Sequence, residues 1–216
     1  MMIDYQKVSN KVICVGKNYA DHAKEMNSAV PVEPLLFLKP WTAVTSLNGE
    51  INIPHNKGQI HHELEIAYVI GKKLVNASES NVQQSIGGIG LALDLTLRDV
   101  QTTLKEKGFP WDKSKGFDLS CPIVCISTKG MTMDYNKVEI NLIKNGQLQQ
   151  RGNSFDMIFK TIQLISYMSN WFTLNAGDII LTGTPAGVGP IQTGDQLSSS
   201  LKMSGKEVLT VESIVV

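Results

Sequence analysis

The sequence has no long apolar run, no excess of one charge and no export signal. Its apolar stretches fall well short of the roughly 20 residues that a transmembrane helix needs. The N-terminus lacks the charged-then-apolar pattern of a signal peptide. The 20 basic residues balance the 20 acidic ones without forming a basic stripe. We therefore expect a cytoplasmic protein with neither membrane nor nucleic-acid partners.

Cysteine is also scarce. Cys14, Cys121 and Cys125 all lie among apolar neighbours. Cys121 and Cys125 have a spacing that would suit half of a metal site, but no second pair accompanies them. An odd count without an export signal is typical of reduced thiols, so we predict buried structural cysteines.

The 216 residues, of which 42% are hydrophobic, suit one domain spanning residues 1–216. No internal repeat or low-complexity linker divides them. Helices and strands do not alternate regularly, which argues against a doubly wound sheet. We predict a β-rich α+β fold with short helices. The expected strands are 11–15, 35–38, 50–53, 63–70, 89–95, 138–144, 147–151, 179–182, 196–202 and 208–216.

Four helices are expected among these strands, at residues 18–27, 78–85, up to 107, and 154–170. Thr96 and Asp99 resemble the cap of the third helix, which Gly108 ends. Ser154 is predicted to cap the fourth, whose apolar stripe of core residues is Phe155, Ile158, Phe159, Ile162, Ile165 and Met168. Asn145-Gly146 predicts a type I′ hairpin turn.

Two acids interrupt the most apolar strand, at Glu63 and Glu65. On a strand they point to the same side, where Ala67 and Val69 follow them. Carboxylates held close together in an apolar place must be protonated, paired with cations or bound to a metal. A hard divalent cation with oxygen ligands meets that requirement.

Asp94 is a third acid inside an apolar stretch, and we predict that it joins Glu63 and Glu65. Three carboxylates with water or substrate oxygens would give the octahedral shell of Mg²⁺ or Mn²⁺. The alternatives are that Asp94 pairs with Arg98 or caps the following helix. Spacing alone leaves these interpretations open, because structural ion pairs also bury acids.

His22 and Glu25 lie three residues apart on a predicted helix, where they can form a hydrogen bond. A glutamate that orients an imidazole produces a general base. A solvated helix face with ordinary salt-bridge spacing explains the same pattern. Lys115 on its own is a loop lysine. The glycine-rich loop 183–190 has amides and a Thr184 hydroxyl suited to a small carboxylate, although a tight turn fits it equally well.

Five blocks occur here in the order found in the fumarylacetoacetate hydrolase family, and the chain resembles that family over nearly its whole length. They are GKNYADH at 16–22, FLKP at 37–40, HELE at 62–65, LDLTLRDVQ at 93–101 and LTGTPAGVG at 181–189. The resemblance is closest to the single-domain acylpyruvate hydrolase branch. It implies a mixed β-sandwich or rolled β fold and a homodimer.

The resemblance also implies roles for individual residues. Mg²⁺ or Mn²⁺ would bind Glu63, Glu65 and Asp94. The segment 17–30, with His22 and Glu25, would be a mobile lid. The implied active-site lysine is Lys115, and the implied substrate-binding residues are Lys17, Arg98, Gln101 and Thr184. The branch usually has arginine where this chain has Lys17, and lysine cannot reproduce a bidentate guanidinium contact.

The resemblance, together with these residues, implies a metal-dependent hydrolase that cleaves a carbon–carbon bond in acylpyruvates. His22 would activate water, and Lys115 would stabilise the enolate that forms. Oxaloacetate decarboxylation or tautomerisation passes through related enol chemistry and is the first alternative. Isomerisation of a muconate-type dioxo acid is the second. A metal-binding or ligand-binding domain without activity is the alternative from a different class.

Overall fold

Buried strands rich in β-branched residues and leucine form most of the protein. A computed structural model describes residues 11–25 and 29–216. Its largest sheet has seven strands and combines parallel with antiparallel pairs. In spatial order they are β2 (Leu35–Lys39), β1 (Val12–Gly16), β12 (Ile179–Leu181), β6 (Leu64–Ile70), β7 (Ile86–Leu93), β9 (Cys121–Ser127) and β3 (Val44–Ser46).

Two smaller sheets complete the β structure. The five-stranded sheet has the order β11 (Gln147–Asn153), β10 (Val138–Lys144), β14 (Gln196–Met203), β15 (Lys206–Val215) and β4 (Gly49–Ile51). The three-stranded sheet contains β13 (Gly189–Pro190), β5 (Ile60–His62) and β8 (Thr96–Leu97). The prediction of a mixed, β-rich fold with short helices is confirmed.

The main core lies between the two larger sheets. Alternate residues of β6, including Leu64, Ile66 and Tyr68, belong to the same buried cluster as Ile140 and Leu142 of β10. The opposite face of β6 lies in a second buried cluster that contains the three free cysteines. Both faces of this strand are therefore covered, as its apolar sequence predicts.

The helices are short. They are α1 (Ala20–Glu25), α2 (Glu79–Gln83), α3 (Arg98–Glu106), α4 (Asp112–Lys115) and α5 (Thr161–Trp171), with 3₁₀ turns at Trp41–Ala43 and Ser154–Asp156. No helix in the described part of the chain combines the length and apolar character needed to cross a bilayer. The last two residues of the predicted helix 18–27 lie outside the described residues.

Two predictions about helix starts were wrong. The helix expected over 154–170 is broken into a 3₁₀ turn and α5. Ser154 does not cap it, because its hydroxyl accepts a hydrogen bond from the Val138 amide at 3.0 Å, and Phe155 is 67% exposed. Thr96 donates instead to the Asp94 carbonyl. Asp99 accepts from the Gln59 amide at 3.0 Å, which leaves α3 without a side-chain cap.

The hairpin prediction was correct. Lys144 pairs with Gln147 across the β10–β11 turn. Asn145 and Gly146 have φ values of 52° and 78°. Positive φ at both central residues is the signature of a type I′ turn.

Candidate metal centre and active site

Strand register brings the three predicted acids together. Leu64 of β6 pairs with Leu93 of β7, so the next residues outward, Glu63 and Asp94, are opposite each other. The Asp94 amide donates to the Glu63 carbonyl at 2.9 Å. Glu65 points into the same space from β6, and the three residues are at most 5% exposed. Each offers an oxygen within 4.8 Å of the others.

Three cationic side chains surround these acids. Lys115 Nζ donates to Glu63 Oε2 at 2.7 Å, to Asp94 Oδ2 at 2.6 Å and to Thr96 Oγ1 at 2.7 Å. Arg98 donates to Glu63 Oε1 at 2.5 Å. These bonds use all three Lys115 protons, so in this arrangement Lys115 provides positive charge to the site and has no free proton for a substrate.

Lys39 is the third cation, and the sequence analysis gave it no role. It is fully buried at the end of β2, where Nζ lies 2.9 Å from Asp94 Oδ1. It also donates to the carbonyls of Lys115 and Ser120. A lysine at the end of an apolar strand is unusual, and that was the available signal.

The electrostatic environment treats the carboxyls differently. Burial by itself raises the pKa of Glu63, but the charges of Lys115 and Arg98 outweigh it and hold that pKa far below its usual range. Burial, followed by the charges of Asp94 and Glu63, raises the pKa of Glu65 well above its usual value. Burial lowers the pKa of Lys115, but Asp94 and Glu63 outweigh it and raise that pKa. A protonated Lys115 is thus built into the site.

The donor set fits a hard divalent cation. It consists only of carboxylate oxygens, the ligands that Mg²⁺ and Mn²⁺ prefer. Asp94 Oδ1 is buried and makes no hydrogen bond, although Lys39 Nζ is close to it. Glu65 forms no ion pair among the described residues, and burial followed by the charges of Asp94 and Glu63 raises its pKa. The three acids would hold the ion. Asp94 neither pairs with Arg98 nor caps the following helix, but it does form buried ion pairs with Lys115 and Lys39.

Helix α1 supplies the predicted imidazole. His22 is 6% exposed, and its Nδ1 lies 3.1 Å from Glu25 Oε2. Because the carboxylate accepts, Nδ1 carries the proton and Nε2 is the basic nitrogen. The Glu25 carboxylate in turn accepts from the Gly187 amide at 3.0 Å. The arrangement is that of an oriented general base, and it differs from a solvated helix face.

The glycine-rich loop 183–190 holds two of the protein's own carboxylates. The Gly183 amide donates to Glu65 Oε2 at 2.6 Å, and the Gly187 amide donates to Glu25. Both glycines have φ near +93°. A Cβ on Gly187 would lie 2.0 Å from the Gln149 carbonyl oxygen. The tight-turn interpretation is therefore correct. The two amides bind the protein's own carboxylates, and the binding of a small carboxylate ligand by this loop stays a prediction.

Thr184 belongs to a buried network beneath the acids. Gln150 Oε1 accepts from the Leu64 amide and from His62 Nδ1, both at 2.9 Å. Gln150 Nε2 donates to Thr184 Oγ1 at 2.7 Å, and Thr184 Oγ1 donates to the Leu64 carbonyl. The Thr184 hydroxyl can therefore only accept from a substrate. No sequence pattern marked Gln150.

Most of the predicted site residues line a single cleft. Nine of the ten line it, namely Lys17, His22, Glu63, Glu65, Asp94, Arg98, Gln101, Lys115 and Thr184. The tenth, Glu25, is bound to His22. The cleft also exposes Phe37, Trp111 and Lys105, which the sequence analysis did not select. Gln101 Oε1 accepts from Arg98 at 2.6 Å.

Comparison with known proteins agrees with this site. The model of the fumarylacetoacetate (FAA) hydrolase C-terminal family matches residues 11–212. The chain belongs to that family, which confirms the resemblance.

Individual relatives are named as enzymes. The chain is 51% identical over 198 residues to oxaloacetate tautomerase YcgM of Escherichia coli, covering 91% of this chain and 90% of that protein. It is 42% identical over 201 residues to a mitochondrial oxaloacetate decarboxylase of Dictyostelium discoideum, covering 93% and 92%.

A solved structure adds a metal to the comparison. Fumarylpyruvate hydrolase of Pseudomonas aeruginosa in complex with Mn²⁺ and pyruvate superposes with a TM-score of 0.88 at 32% identity, covering 96% of this chain and 90% of that one. The expectation of an enzyme is therefore confirmed over that of a non-catalytic domain. The three clustered acids are a candidate site for a divalent metal.

Proposed function

We propose that the protein is a metal-dependent oxaloacetate tautomerase, which interconverts the keto and enol forms of a four-carbon keto diacid. One observation carries the proposal: a base oriented by Glu25 lines the same cleft as three convergent acids. The 51% identity to an oxaloacetate tautomerase supports it. This differs from the leading prediction from sequence, acylpyruvate hydrolysis, and agrees with its first alternative.

A bound Mg²⁺ or Mn²⁺ would polarise the keto oxygen and fix the keto acid in the cleft. The relative's complex with Mn²⁺ supports Mn²⁺ as an ion to test in this site. Glu63, Glu65 and Asp94 would hold the ion. Lys115 and Arg98 keep the Glu63 carboxylate ionised and supply positive charge as negative charge develops on the substrate.

His22 performs the proton transfer. Its Nε2 removes a proton from C3 of the keto form, and the C3–H electron pair becomes the C2=C3 double bond. The C2 oxygen takes up the displaced electron pair and receives a proton from the His22 imidazolium, directly or through water, so the base is restored and no atom is gained or lost. Glu25 stabilises the imidazolium formed in between.

Acylpyruvate hydrolysis is the second candidate, and the likeness to a fumarylpyruvate hydrolase favours it. There His22 would take a proton from water, and the hydroxide would attack the C4 carbonyl. The C3–C4 bond would break to give a carboxylic acid and the enolate of pyruvate, which then takes up a proton. Hydrolysis consumes water and releases pyruvate, whereas tautomerisation does neither.

The deciding experiment follows enol absorbance and pyruvate release together, with Mn²⁺, with Mg²⁺ and with a chelator. The substrates are oxaloacetate, acetylpyruvate and fumarylpyruvate. A tautomerase changes the enol absorbance of oxaloacetate faster than pyruvate appears. Rapid pyruvate release from an acylpyruvate, with no acceleration of oxaloacetate enolisation, would replace the proposal with hydrolysis.

The variant His22→Ala separates the reactions further. We expect tautomerisation to fall by about 10²–10⁴, the usual contribution of a general base. Decarboxylation of oxaloacetate needs no proton removal from C3 and should persist. The exposed His55, changed to alanine, is the matched control. Unchanged tautomerisation in His22→Ala would remove His22 from the reaction.

A further inference from the structure

Two lysines in the outer part of the cleft, Lys17 and Lys105, have no carboxylate partner. Both line the cleft beside Trp111. Lys105 is exposed and Lys17 half-buried, whereas the three acids lie deeper. Among residues 11–25 and 29–216, no ion pair includes either lysine. The outer part of the cleft therefore carries two positive charges that no carboxylate of the described residues pairs with.

Two of the inner acids, Glu63 and Asp94, already have cationic partners, and the third, Glu65, accepts from the Gly183 amide. Glu63 pairs with Lys115 and Arg98, and Asp94 pairs with Lys115 and Lys39. With Glu65 ionised the three acids and the three inner cations sum to zero charge, and with Glu65 protonated they sum to one positive charge. A divalent ion bound there would make the cleft more positive. It would provide no negative charge for the outer lysines to pair with.

The backbone directs both lysines into the cleft. Arg98, Gln101 and Lys105 lie at positions i, i+3 and i+7 of helix α3, so they share one face of that helix. Lys17 has φ of 60°, a left-handed conformation that a side chain other than glycine adopts at a cost. Burial and the charges of Lys17 and Arg98 lower the pKa of Lys105, as expected of neighbouring cations.

We propose that Lys17 and Lys105 bind the second carboxylate of a keto diacid, the one remote from the acid cluster. The enzyme would then select dianionic keto acids over monoanionic ones of the same size. This inference rests on the proposed function, since it names the substrate class of that site. Each ammonium group would pair with a carboxylate oxygen, and a keto acid ending in a methyl group would leave both lysines unpaired.

The test compares oxaloacetate with 2-oxobutanoate, in which a methyl group replaces the second carboxylate. Binding to the Mn²⁺-loaded protein is followed by stopped-flow tryptophan fluorescence, since Trp111 lines the cleft. The variants are Lys105→Met, Lys17→Met and the charge-preserving Lys105→Arg. Lys107→Met, an exposed lysine two residues further along the chain, is the control.

We expect Lys105→Met and Lys17→Met each to weaken oxaloacetate binding about three- to thirty-fold. Binding of 2-oxobutanoate should stay within about two-fold, and Lys105→Arg should recover most of the loss. Equal losses for both ligands, or no loss for either, would overturn the subsite.

The outcome is separable from that of the proposed function. If wild-type protein fails to tautomerise oxaloacetate but the methionine variants still lose only the diacid, the function falls and the subsite stands. If the wild type is a tautomerase and the variants bind both acids normally, the subsite falls alone.

Discussion

Glu65 is a proposed metal ligand, and its ionisation should destabilise the metal-free protein. Its pKa in the folded state is raised by burial, Asp94 and Glu63, whereas in the unfolded chain a glutamate ionises near pH ~4.3. A raised folded pKa gives stability below the unfolded pKa that is lost as pH rises through the folded one.

We therefore expect Glu65→Gln to stabilise the metal-free protein at neutral pH. The glutamine can still accept from the Gly183 amide and has no charge to bury. The gain should shrink as pH falls toward ~4, because both proteins are then neutral at this position. Melting temperatures in chelator across pH 4–8 measure it.

The exposed Glu50→Gln is the matched control, and its melting curve should follow the wild type. Added Mn²⁺ should reverse the order of stability, because the variant loses a carboxylate ligand. A Glu65→Gln protein that melts below wild type in chelator at pH 7 would contradict the argument.

Lys39 is the residue whose loss should damage the fold most directly. Lys39→Met leaves Asp94 Oδ1 buried without its cation, and breaking a buried pair in this way costs about 3–5 kcal/mol. Urea denaturation in chelator measures the free energy of unfolding. Lys113→Met, on the exposed side of α4, is the control.

A double variant separates charge from packing. Lys39→Met combined with Asp94→Asn should lose less stability than the two single losses added together, since the second change removes the unpaired charge. Strict additivity would mean that Lys39 acts through packing and its carbonyl contacts alone.

Single residues were predictable where their chemistry conflicts with their neighbours. Glu63, Glu65 and Asp94 are acids among apolar residues, and the conflict located them. Lys39 presented the same conflict, but in a short strand that looks ordinary. Gln150 presents no such conflict, because it lies in a polar stretch of the sequence. Its burial goes with tertiary hydrogen bonds to Thr184 and Leu64, which no local pattern records.

At the scale of elements, the 183–190 loop is the part that connects the base to the acids. Gly187→Ala would place a Cβ against the Gln149 carbonyl and displace the amide that holds Glu25. Turnover should fall, at most by the factor of about 10²–10⁴ that is expected when a general base is lost. The Mn²⁺-induced rise in melting temperature should persist, because Gly183 and Glu65 are not involved.

Gly194→Ala is a closely matched control. Gly194 has the same φ of 94°, but its Cβ would meet nothing within 4 Å. It should lower stability by about 1–3 kcal/mol through backbone strain alone and leave turnover unchanged. Equal loss of turnover in both variants would mean that strain, not the position of Glu25, determines activity.

Elements with a local signal were predicted well, and those set by tertiary contacts were not. The Asn145-Gly146 turn defines its own hairpin. The apolar spacing over 154–170 looks helical throughout, yet Asn18 holds the backbone at Ile158 and Phe159 through hydrogen bonds from 140 residues away, so that helix starts late. Strand β9 was missed because Pro122 interrupts its pattern.

For the whole molecule, metal and stability should be linked. The unfolded chain does not hold Glu63 and Asp94 together, so an ion that binds only the folded state adds about 2.7 kcal/mol at one hundred times its dissociation constant. Calorimetry with increasing Mn²⁺ or Mg²⁺ should show a rising melting temperature that a chelator reverses. Asp94→Asn should lose most of that rise, and an equal rise in that variant would place the ion elsewhere.

The homodimer remains a prediction at this scale. Leu35 and Leu38 on the edge strand β2 are 40% and 39% exposed, and Phe109 is 56% exposed. Apolar side chains on an edge strand are consistent with a partner. Sedimentation equilibrium should give about twice the 23.7 kDa chain mass. A single-chain mass at micromolar concentration would refute the dimer. The lid assigned to residues 17–30 likewise remains a prediction.

The overall class of fold followed from the short, apolar strands and their irregular order. The pairing of sheets did not, because strand order depends on contacts that no local pattern records. Register mattered most: one step along β6 relative to β7 would move Asp94 away from Glu63.

The Gly183–Gly187 backbone has a consequence for how such an enzyme could acquire new substrates. The amides of these two glycines, four residues apart, donate hydrogen bonds to Glu65 and Glu25. Lengthening this turn by one residue would therefore break at least one of the two hydrogen bonds. Helix α3, which carries Lys105, takes part in neither of these two hydrogen bonds. New specificities should therefore be sought by varying helix α3, while the turn is kept at its present length.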